Sequence, residues 1–188
     1  MSILSLTIGV GENELGGECH TTFLAVSIAA TMFYVYFMDI GIQTDPMTKL
    51  LNRLCYDNHL KKIDYPTAVV MFDVDKFKYI NDTSGHEKGD IVLQHVASCL
   101  RRTFGKLGYL YRLGGDEFCL ILRKDYLDKV DFGLLRRDLD RQLEMYRRHE
   151  PLMPAVSMGH AIYDGGLSVQ NVVKQADRQM YADKKGRS

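Results

Sequence analysis

Two clusters of carboxylate side chains are the residues of this sequence best suited to chemistry. Asp73 and Asp75 end an apolar run, and Asp116 with Glu117 follows 43 residues after Asp73, directly behind two glycines. Clustered carboxylates without histidine or cysteine favour a hard cation such as Mg²⁺, which completes its shell with water and substrate phosphates. If the two clusters meet, they predict phosphoryl or nucleotidyl transfer at a metal ion.

Each acid taken alone has a plainer explanation, in which it is a solvated cap at the end of a strand. That explanation suits Asp75 and Asp82 better than a ligand role does. It suits residues 114–117 poorly, because two adjacent acids follow two glycines between apolar runs. Repulsion between Asp116 and Glu117 carries a cost that a bound cation would offset.

Apolar periodicity indicates the strands that must position these acids. Residues 67–74 (TAVVMFDV) form a β-branched apolar run, typical of a buried strand that carries Asp73 at its C-terminal end. Short apolar runs at 109–113 and 118–122 lie on either side of the glycines and predict a β-hairpin with the second acid cluster at its tip. The acids converge if the strand and the hairpin are neighbours in one sheet.

The rest of the chain predicts three amphipathic helices and one further strand. The helices are expected at 91–104, 130–149 and 169–185, and the strand at 155–163. Strands and helices that interleave but include a hairpin indicate an α/β or α+β fold. Its sheet should be mixed or antiparallel rather than doubly wound and parallel.

Five motifs, in order along the chain, match one protein family. Residues 112–118 (RLGGDEF) resemble the signature of GGDEF domains, the diguanylate cyclases that condense two GTP into cyclic di-GMP and two pyrophosphates. The other four motifs are 45–53 (DPMTKLLNR), 72–82 (FDVDKFKYIND), 85–90 (GHEKGD) and 176–187 (ADRQMYADKKGR). The resemblance implies a GGDEF domain over residues 45–188, preceded by a segment at 1–44.

The resemblance implies a central, mainly antiparallel sheet flanked by helices, similar to class III nucleotide cyclases and polymerase palms. It implies Mg²⁺ or Mn²⁺ as cofactor, held by Asp73, Asp116, Glu117 and the carbonyl of Val74. Asp116, Glu117 and Lys78 are the implied catalytic residues. Glu117 would assist deprotonation of the attacking 3′-hydroxyl or join the metal shell.

The resemblance also implies contacts to GTP. Asn81 and Asp90 would bind guanine, because a carboxylate can accept hydrogen bonds from the N1 and N2 groups of that base. The implied triphosphate contacts are the backbone around Phe77 and residues Lys78, Gly114, Gly115, Lys184 and Arg187. Taken alone, Asn81 and Asp90 could instead cap the helices that follow them, and the lysines could be solvated surface charges. His86 is expected to be a structural residue, packed or hydrogen-bonded.

Since each site in the family holds one GTP, the resemblance implies a homodimer in which two domains face one another.

Three features depart from the family pattern. Residues 105–108 (GKLG) stand where many members have an Arg-x-x-Asp product-inhibition motif, so feedback binding there is not expected. Lys49 stands where glycine is usual, which could alter coupling to the upstream helix. The Lys184-to-Arg187 spacing is one residue shorter than the commonest form.

A formal charge of zero hides two different segments. All 24 Lys and Arg residues and 20 of the 24 acidic residues lie from Asp45 onward, so residues 1–44 carry −4 and the remainder +4. The small cationic excess suits a tetra-anionic nucleotide better than a nucleic-acid backbone, so no nucleic-acid partner is expected.

The four cysteines show no CxxC pairing. Their spacing supports neither a zinc site nor a disulfide framework, and it favours a reducing, cytoplasmic environment for residues 45–188.

Residues 21–42 (TTFLAVSIAATMFYVYFMDIGI) contain a single charge, Asp39, and predict a hydrophobic helix. Such a helix is about 33 Å long, sufficient for the hydrocarbon core of a bilayer. Because Lys and Arg occur only downstream, we expect a transmembrane helix with the catalytic domain on the cytoplasmic side of the cell membrane. The alternative is a helix that packs against a second copy or the domain, which would leave the chain cytoplasmic. Residues 1–11 could end an earlier membrane helix and mark the chain as part of a longer protein.

The leading hypothesis from the sequence is a membrane-tethered diguanylate cyclase. The alternative is a catalytically silent GGDEF-type module that binds GTP as a regulatory ligand, which loss of Asp73, Asp116 or Glu117 would have favoured. Gly105 and Gly108 disfavour a cyclic di-GMP receptor that uses the inhibition motif. Asn81 and Asp90 disfavour a cyclase that acts on ATP.

Overall fold

The computed structural model describes residues 18–187, with the side chains of residues 22–36 and 43–187. The chain divides into two compact units, residues 1–42 and residues 43–188. The apolar stretch at 1–11, interpreted above as the end of an earlier membrane helix, lies outside the described residues.

Helix α1 runs over Glu18–Gln43, where the sequence predicts a hydrophobic helix. Its side chains at 22–36 are all exposed. Within the described part of the chain, no helix combines the length and the apolar character needed to cross a membrane. The transmembrane helix expected at residues 21–42 stays a prediction. The Thr31 hydroxyl donates a hydrogen bond within the helix, to the Ser27 carbonyl at 2.8 Å.

Four antiparallel strands form the sheet of the second unit, in the order β2-β3-β1-β4. The strands are β1 (Thr67–Val74), β2 (Gly108–Gly114), β3 (Glu117–Leu122) and β4 (Val156–Tyr163). The predicted strands and antiparallel α+β class are therefore confirmed. In the register, Asp73 of β1 stands opposite Glu117 of β3 and Ser157 of β4.

Five α-helices and one 3₁₀ helix accompany the sheet in the described part of this unit. They are α2 (Arg53–Leu60), α3 (Phe77–Ser84), α4 (His86–Phe104), the 3₁₀ helix (Lys124–Lys129), α5 (Phe132–Arg147) and α6 (Val169–Arg187). The helix expected at 91–104 begins earlier, at His86. Gly85, which has a φ of +85°, breaks the chain direction between α3 and α4. Helix α5 begins after Asp131, whose carboxylate accepts hydrogen bonds from two N–H groups of the first turn.

Strand β1 is buried along its whole length because both faces of the sheet are covered. Its alternate residues Val70 and Phe72 belong to an apolar cluster with residues of α4 and α5, whereas Val69 and Met71 pack in a second cluster with residues of α2 and α6. The Cys99 and Cys119 thiols are buried, and burial raises the pKa of Cys99 to about 11. A strand buried on both faces gives Asp73 a fixed position.

Residues 43–52 lie against the edge of β2 and include a strained position. The Leu51 N–H donates to the Leu110 carbonyl at 3.0 Å, and the Arg112 N–H donates to the Leu51 carbonyl at 2.8 Å. Within this segment Lys49 has a φ of +58°, in the left-handed region that favours glycine. The departure from glycine noted in the sequence therefore falls on a residue that carries backbone strain.

Replacing Lys49 by glycine is expected to stabilise the fold. Left-handed backbone costs a non-glycine residue about 1–2 kcal/mol, and the greater unfolded-state freedom of glycine removes about 0.5–1 kcal/mol of that gain. Lys49→Gly should therefore raise the free energy of unfolding, measured by urea denaturation, by about 0.5–1 kcal/mol. Lys61→Gly is the control, because φ at Lys61 is −66° and glycine should destabilise there. A Lys49→Gly protein less stable than the parent would contradict the strain.

Gly159 of β4 lets α6 lie directly on the sheet. A Cβ atom at this position would come within 2.1 Å of the Met180 nitrogen and 2.2 Å of the Ala176 carbonyl oxygen. Gly159→Ala should lower the free energy of unfolding by about 2 kcal/mol, because the backbone of α6 must move away. Gly186→Ala, at a helix position with open space around it, should leave stability nearly unchanged. Equal effects of the two substitutions would remove the steric explanation.

Candidate active site

The end of β1 and the start of β3 bring the predicted carboxylates together. Asp73 is 8% exposed and stands opposite Glu117 in the strand register. The Val74 N–H donates a hydrogen bond to the Asp116 carbonyl at 3.2 Å, which joins the hairpin turn to the strand end. The convergence expected from the sequence is therefore present, and it forms one acidic edge composed of Asp73, Asp75, Asp116 and Glu117.

Partial burial and mutual repulsion both act on this acidic edge. Burial raises the pKa of Asp73, and the charges of Asp116 and Asp75 raise it further. The pKa of Glu117 is raised by burial and then by Asp116 and Asp73. Burial and then the neighbouring anions make full ionisation of the cluster unfavourable, and a bound cation would offset that cost.

The donor atoms of the acidic edge suit a hard divalent cation. Asp75 accepts a hydrogen bond from the Ser157 hydroxyl at 2.6 Å through Oδ1, while its buried Oδ2 has no hydrogen-bond partner. Among the described residues, no three His, Cys, Asp or Glu side chains form a ready-made metal cage. Mg²⁺ commonly uses one or two carboxylates and takes its other ligands from water and phosphates, so the carboxylate and carbonyl oxygens here fit it.

Lys184 reaches the acidic edge from the last turn of α6. Its Nζ donates a hydrogen bond to Asp73 Oδ1 at 2.5 Å. This bond and the lysine charge offset part of the effect of burial, which still holds the pKa of Asp73 above its usual value. The sequence placed Lys184 at the triphosphate, and the structure pairs it with a predicted metal ligand.

The two residues expected to bind guanine lie on neighbouring helices. Asn81 is in α3 and Asp90 in α4, so neither caps the helix that follows it, and the capping alternative is wrong. Gly89, next to Asp90, allows a close approach, because a Cβ there would lie 1.9 Å from the Asn81 side-chain oxygen. That oxygen is buried and has no hydrogen-bond partner. His86 is exposed, which removes the expectation that it is packed.

The start of α3 follows the acidic edge within two residues. Lys76 precedes the helix with a left-handed φ of 57°, and no side chain caps the first turn. The first helical hydrogen bond runs from the Ile80 N–H to the Lys76 carbonyl, so the backbone N–H groups at Phe77 and Lys78 precede it. Uncapped N–H groups at a helix start favour an anion, which suits the predicted triphosphate contact. The Lys78 side chain is exposed.

Arg187, expected at the triphosphate, pairs with acidic residues outside the predicted site. Its guanidinium pairs with Asp183 at 3.2 Å and with Asp140 of α5 at 3.8 Å. Asp183 also accepts hydrogen bonds from the Met158 N–H of β4 and from Arg136 of α5, both at 2.9 Å. This charged cluster ties the last turn of α6 to β4 and α5.

Arg112 is a site residue for which the sequence suggested no role beyond its place in the signature. Its Nη1 lies 3.2 Å from both carboxylate oxygens of Asp45, and its Nε and Nη2 donate to the Gly115 carbonyl at 3.2 and 2.9 Å. Burial opposes ionisation of Asp45, but hydrogen bonds from Thr48 and the Arg112 charge hold the pKa of Asp45 below its usual value. Arg112 therefore connects the segment before α2 to the turn that carries Asp116.

Comparison with known proteins agrees with this geometry. The family model described as "Diguanylate cyclase, GGDEF domain" matches residues 42–188. The chain belongs to the GGDEF domain family. The chain is 30% identical over 176 residues to diguanylate cyclase DosC of Escherichia coli K12, which covers 87% of this chain and 38% of DosC. The chain thus spans well under half the length of that relative.

Two further proteins are similar to this GGDEF domain protein. MucR of Pseudomonas aeruginosa, named a bifunctional diguanylate cyclase/cyclic di-GMP phosphodiesterase, is 32% identical over 189 residues, covering 95% of this chain and 26% of MucR. The coiled coil and GGDEF domain of DgcB from Caulobacter crescentus, solved in complex with c-di-GMP, superposes with a TM-score of 0.73 at 24% identity. The superposition covers 90% of this chain and 94% of that one. This likeness establishes the shared fold.

One departure from the family pattern has a steric basis in this GGDEF domain. Gly108 begins β2, and a Cβ there would come within 2.3 Å of the Ile121 carbonyl oxygen. The position that an aspartate would occupy in the Arg-x-x-Asp motif thus has no room for a side chain while this backbone is kept.

Proposed function

We propose that the chain is a diguanylate cyclase that converts two GTP into cyclic di-GMP and two pyrophosphates. The observation that carries the proposal is the convergence of Asp73 with Asp116 and Glu117 at one end of the sheet. Burial and mutual repulsion at this edge favour a bound cation, and a triphosphate reaction needs cations at the same place. The names of the curated relatives support the same activity.

The acidic edge would hold Mg²⁺ or Mn²⁺ through Asp73, Asp116 and the Val74 carbonyl, with Glu117 at its margin. Once bound, the ion would supply positive charge to the α-phosphate and to the departing pyrophosphate. Glu117 would take the proton of the 3′-hydroxyl, a role that its raised pKa favours. The 3′-oxygen forms the new bond to the α-phosphorus as the bond to the pyrophosphate oxygen breaks.

The remaining predicted residues would bind and orient GTP. Asp90 would accept hydrogen bonds from the guanine edge, and the Asn81 amide would donate or accept there, between α3 and α4. The backbone N–H groups at Phe77 and Lys78, the Lys78 side chain and Lys184 would bind the phosphates, and Gly114 and Gly115 would let them approach the turn. The position of Arg187 in the Asp183–Asp140 cluster gives it a supporting rather than a phosphate-binding role.

A single copy offers one such site, so the full reaction would need two copies. Each copy would present one GTP, and the 3′-hydroxyl of one nucleotide would attack the α-phosphate of the other across a two-fold axis. Two attacks, each releasing one pyrophosphate, close the ring of cyclic di-GMP. A homodimer is therefore part of the proposal.

The decisive experiment is product identification. The full chain is incubated with GTP and Mg²⁺, and the products are analysed by mass spectrometry, with a parallel reaction that contains EDTA. We expect cyclic di-GMP and pyrophosphate in a ratio of one to two, and neither product with EDTA. A folded protein that binds GTP as a dimer but yields no product would instead support the silent GTP-binding module.

A further inference from the structure

The contact between Lys184 and Asp73 places a positive charge inside the acidic edge. Nζ of Lys184 is 2.5 Å from Oδ1 of Asp73, and the two side chains are 35% and 12% exposed. The same ammonium group interacts electrostatically with Asp116 and Asp75. In this structure, one of the predicted metal ligands is therefore already neutralised by a residue of the chain itself.

This placement of Lys184 follows from the way α6 packs. Ala176, Met180 and Lys184 are spaced four residues apart and lie on one face of the helix. The first two lie against Gly159 of β4, where the helix backbone comes so close that a Cβ would clash. Asp183, which directly precedes Lys184, fixes the last turn of α6 by accepting hydrogen bonds from Arg136 and from β4. The base of the lysine is thus held rigidly beside the end of β1.

We propose that Lys184 is a built-in counter-ion that occupies the divalent-cation position beside Asp73 when metal is absent. Metal loading would displace the ammonium group, which would then turn to the phosphates of the incoming nucleotide. This inference rests on the proposed function, because it concerns the metal ion which that reaction uses. It assigns Lys184 a role in metal loading in addition to phosphate binding.

Two consequences follow from this competition. A divalent cation alone must break the Lys184–Asp73 ion pair and leaves the ammonium without that anion, so it binds weakly. When the cation arrives together with a nucleotide, the triphosphate brings four negative charges, and the displaced ammonium group can pair with them. Metal and nucleotide therefore bind with positive coupling, and the coupling passes through Lys184.

Binding of Mn²⁺ alone tests the proposal without any turnover. The full chain is titrated with Mn²⁺ in the absence of nucleotide, and free Mn²⁺ is measured by its electron paramagnetic resonance signal. Lys184→Met should bind Mn²⁺ about threefold to tenfold more tightly than the wild type, because the competing cation is removed from a partly exposed pair. With an unreactive α,β-methylene analogue of GTP present, Lys184→Met should bind Mn²⁺ more weakly than the wild type.

Matched controls separate competition from a general charge effect. Lys185→Met removes the same charge one residue away, where the lysine lies over the Tyr181 ring at 4.7 Å, and should leave the Mn²⁺ affinity unchanged. Asp73→Asn should weaken Mn²⁺ binding strongly, both in the wild-type background and together with Lys184→Met. Circular dichroism checks folding, and Lys184→Gln replaces the methionine variant if that variant is unfolded.

The proposal is overturned if Lys184→Met binds Mn²⁺ no more tightly than the wild type, or if Lys185→Met shows the same gain. It is also overturned if neither protein binds Mn²⁺ alone at millimolar concentration. Its failure is distinguishable from failure of the cyclase assignment. If cyclic di-GMP forms but Lys184→Met leaves the Mn²⁺ affinity unchanged, only the counter-ion proposal is overturned. If the variant binds Mn²⁺ more tightly but the wild type forms no product, only the cyclase proposal is overturned.

Discussion

Glu117→Gln should lower the rate of cyclic di-GMP formation by about a thousandfold or more. The substitution keeps the shape of the side chain and removes its charge at the position opposite Asp73. A glutamine can neither take the proton of the 3′-hydroxyl nor neutralise a metal ion. The measurement is kcat from pyrophosphate release, together with the GTP dissociation constant, which should change by only about threefold because no assigned guanine or phosphate contact is lost.

Stability provides a second readout for the same substitution. Burial and then the charges of Asp116 and Asp73 raise the pKa of Glu117, so removing its charge relieves both costs in the protein without metal. The melting temperature of Glu117→Gln without metal should therefore equal or exceed that of the wild type, which separates a catalytic loss from misfolding. Glu144→Gln, on the exposed side of α5 and paired with Arg147, is the matched control and should retain full activity. More than a tenth of the wild-type rate in Glu117→Gln would exclude the assigned role.

The sequence was most informative where local pattern and sheet geometry agree. The β-branched run of 67–74 and the two glycines at 114 and 115 sufficed to predict a buried strand beside a hairpin, and Asp73 does stand opposite Glu117. Side chains on antiparallel neighbours must meet when both lie at the same end of the sheet. The acidic edge could therefore be predicted before any side-chain position was known.

Contacts that depend on helix docking could not be predicted in this way. Lys184 reaches Asp73 from a residue 111 positions later, because Gly159 permits α6 to lie on the sheet, and no pattern in either segment encodes that distance. Arg187 was assigned to phosphate from its motif, but the nearby acids Asp183 and Asp140 attract it. The hydrophobic run at 21–42 predicted the helix over Glu18–Gln43 correctly, and the membrane span stays a prediction.

Arg112 should matter to catalysis although it is not expected to touch the nucleotide. Its guanidinium fork holds the Gly115 carbonyl on one side and the Asp45 carboxylate on the other. Gly115 has a φ of +52° and precedes Asp116, so the bond fixes the turn that aims both acids of the hairpin. Arg112→Ala should lower kcat about a hundredfold, the size of loss expected from a displacement of about 1 Å at reacting groups.

The split between kcat and GTP binding identifies Arg112 as a positioning residue. If it acts only through the turn, the GTP dissociation constant should stay within about threefold of the wild type while kcat falls. Arg112→Lys should restore only part of the rate, because an ammonium group cannot hold two acceptors as a planar fork does. Arg123→Ala, which removes an exposed arginine paired with Asp125 beyond the other end of β3, should leave kcat unchanged.

A double-mutant cycle with Asp45→Asn tests whether the two contacts of Arg112 act together. The Arg112 and Asp45 side chains are 12% and 17% exposed, so their pair is largely shielded from solvent. If Asp45 orients the guanidinium that holds Gly115, the loss in kcat for the double variant should fall short of the product of the single losses, by a coupling of about 1 kcal/mol or more. Independent effects would mean that the Gly115 turn keeps its shape without Asp45, and that the segment before α2 has no influence on the acidic edge.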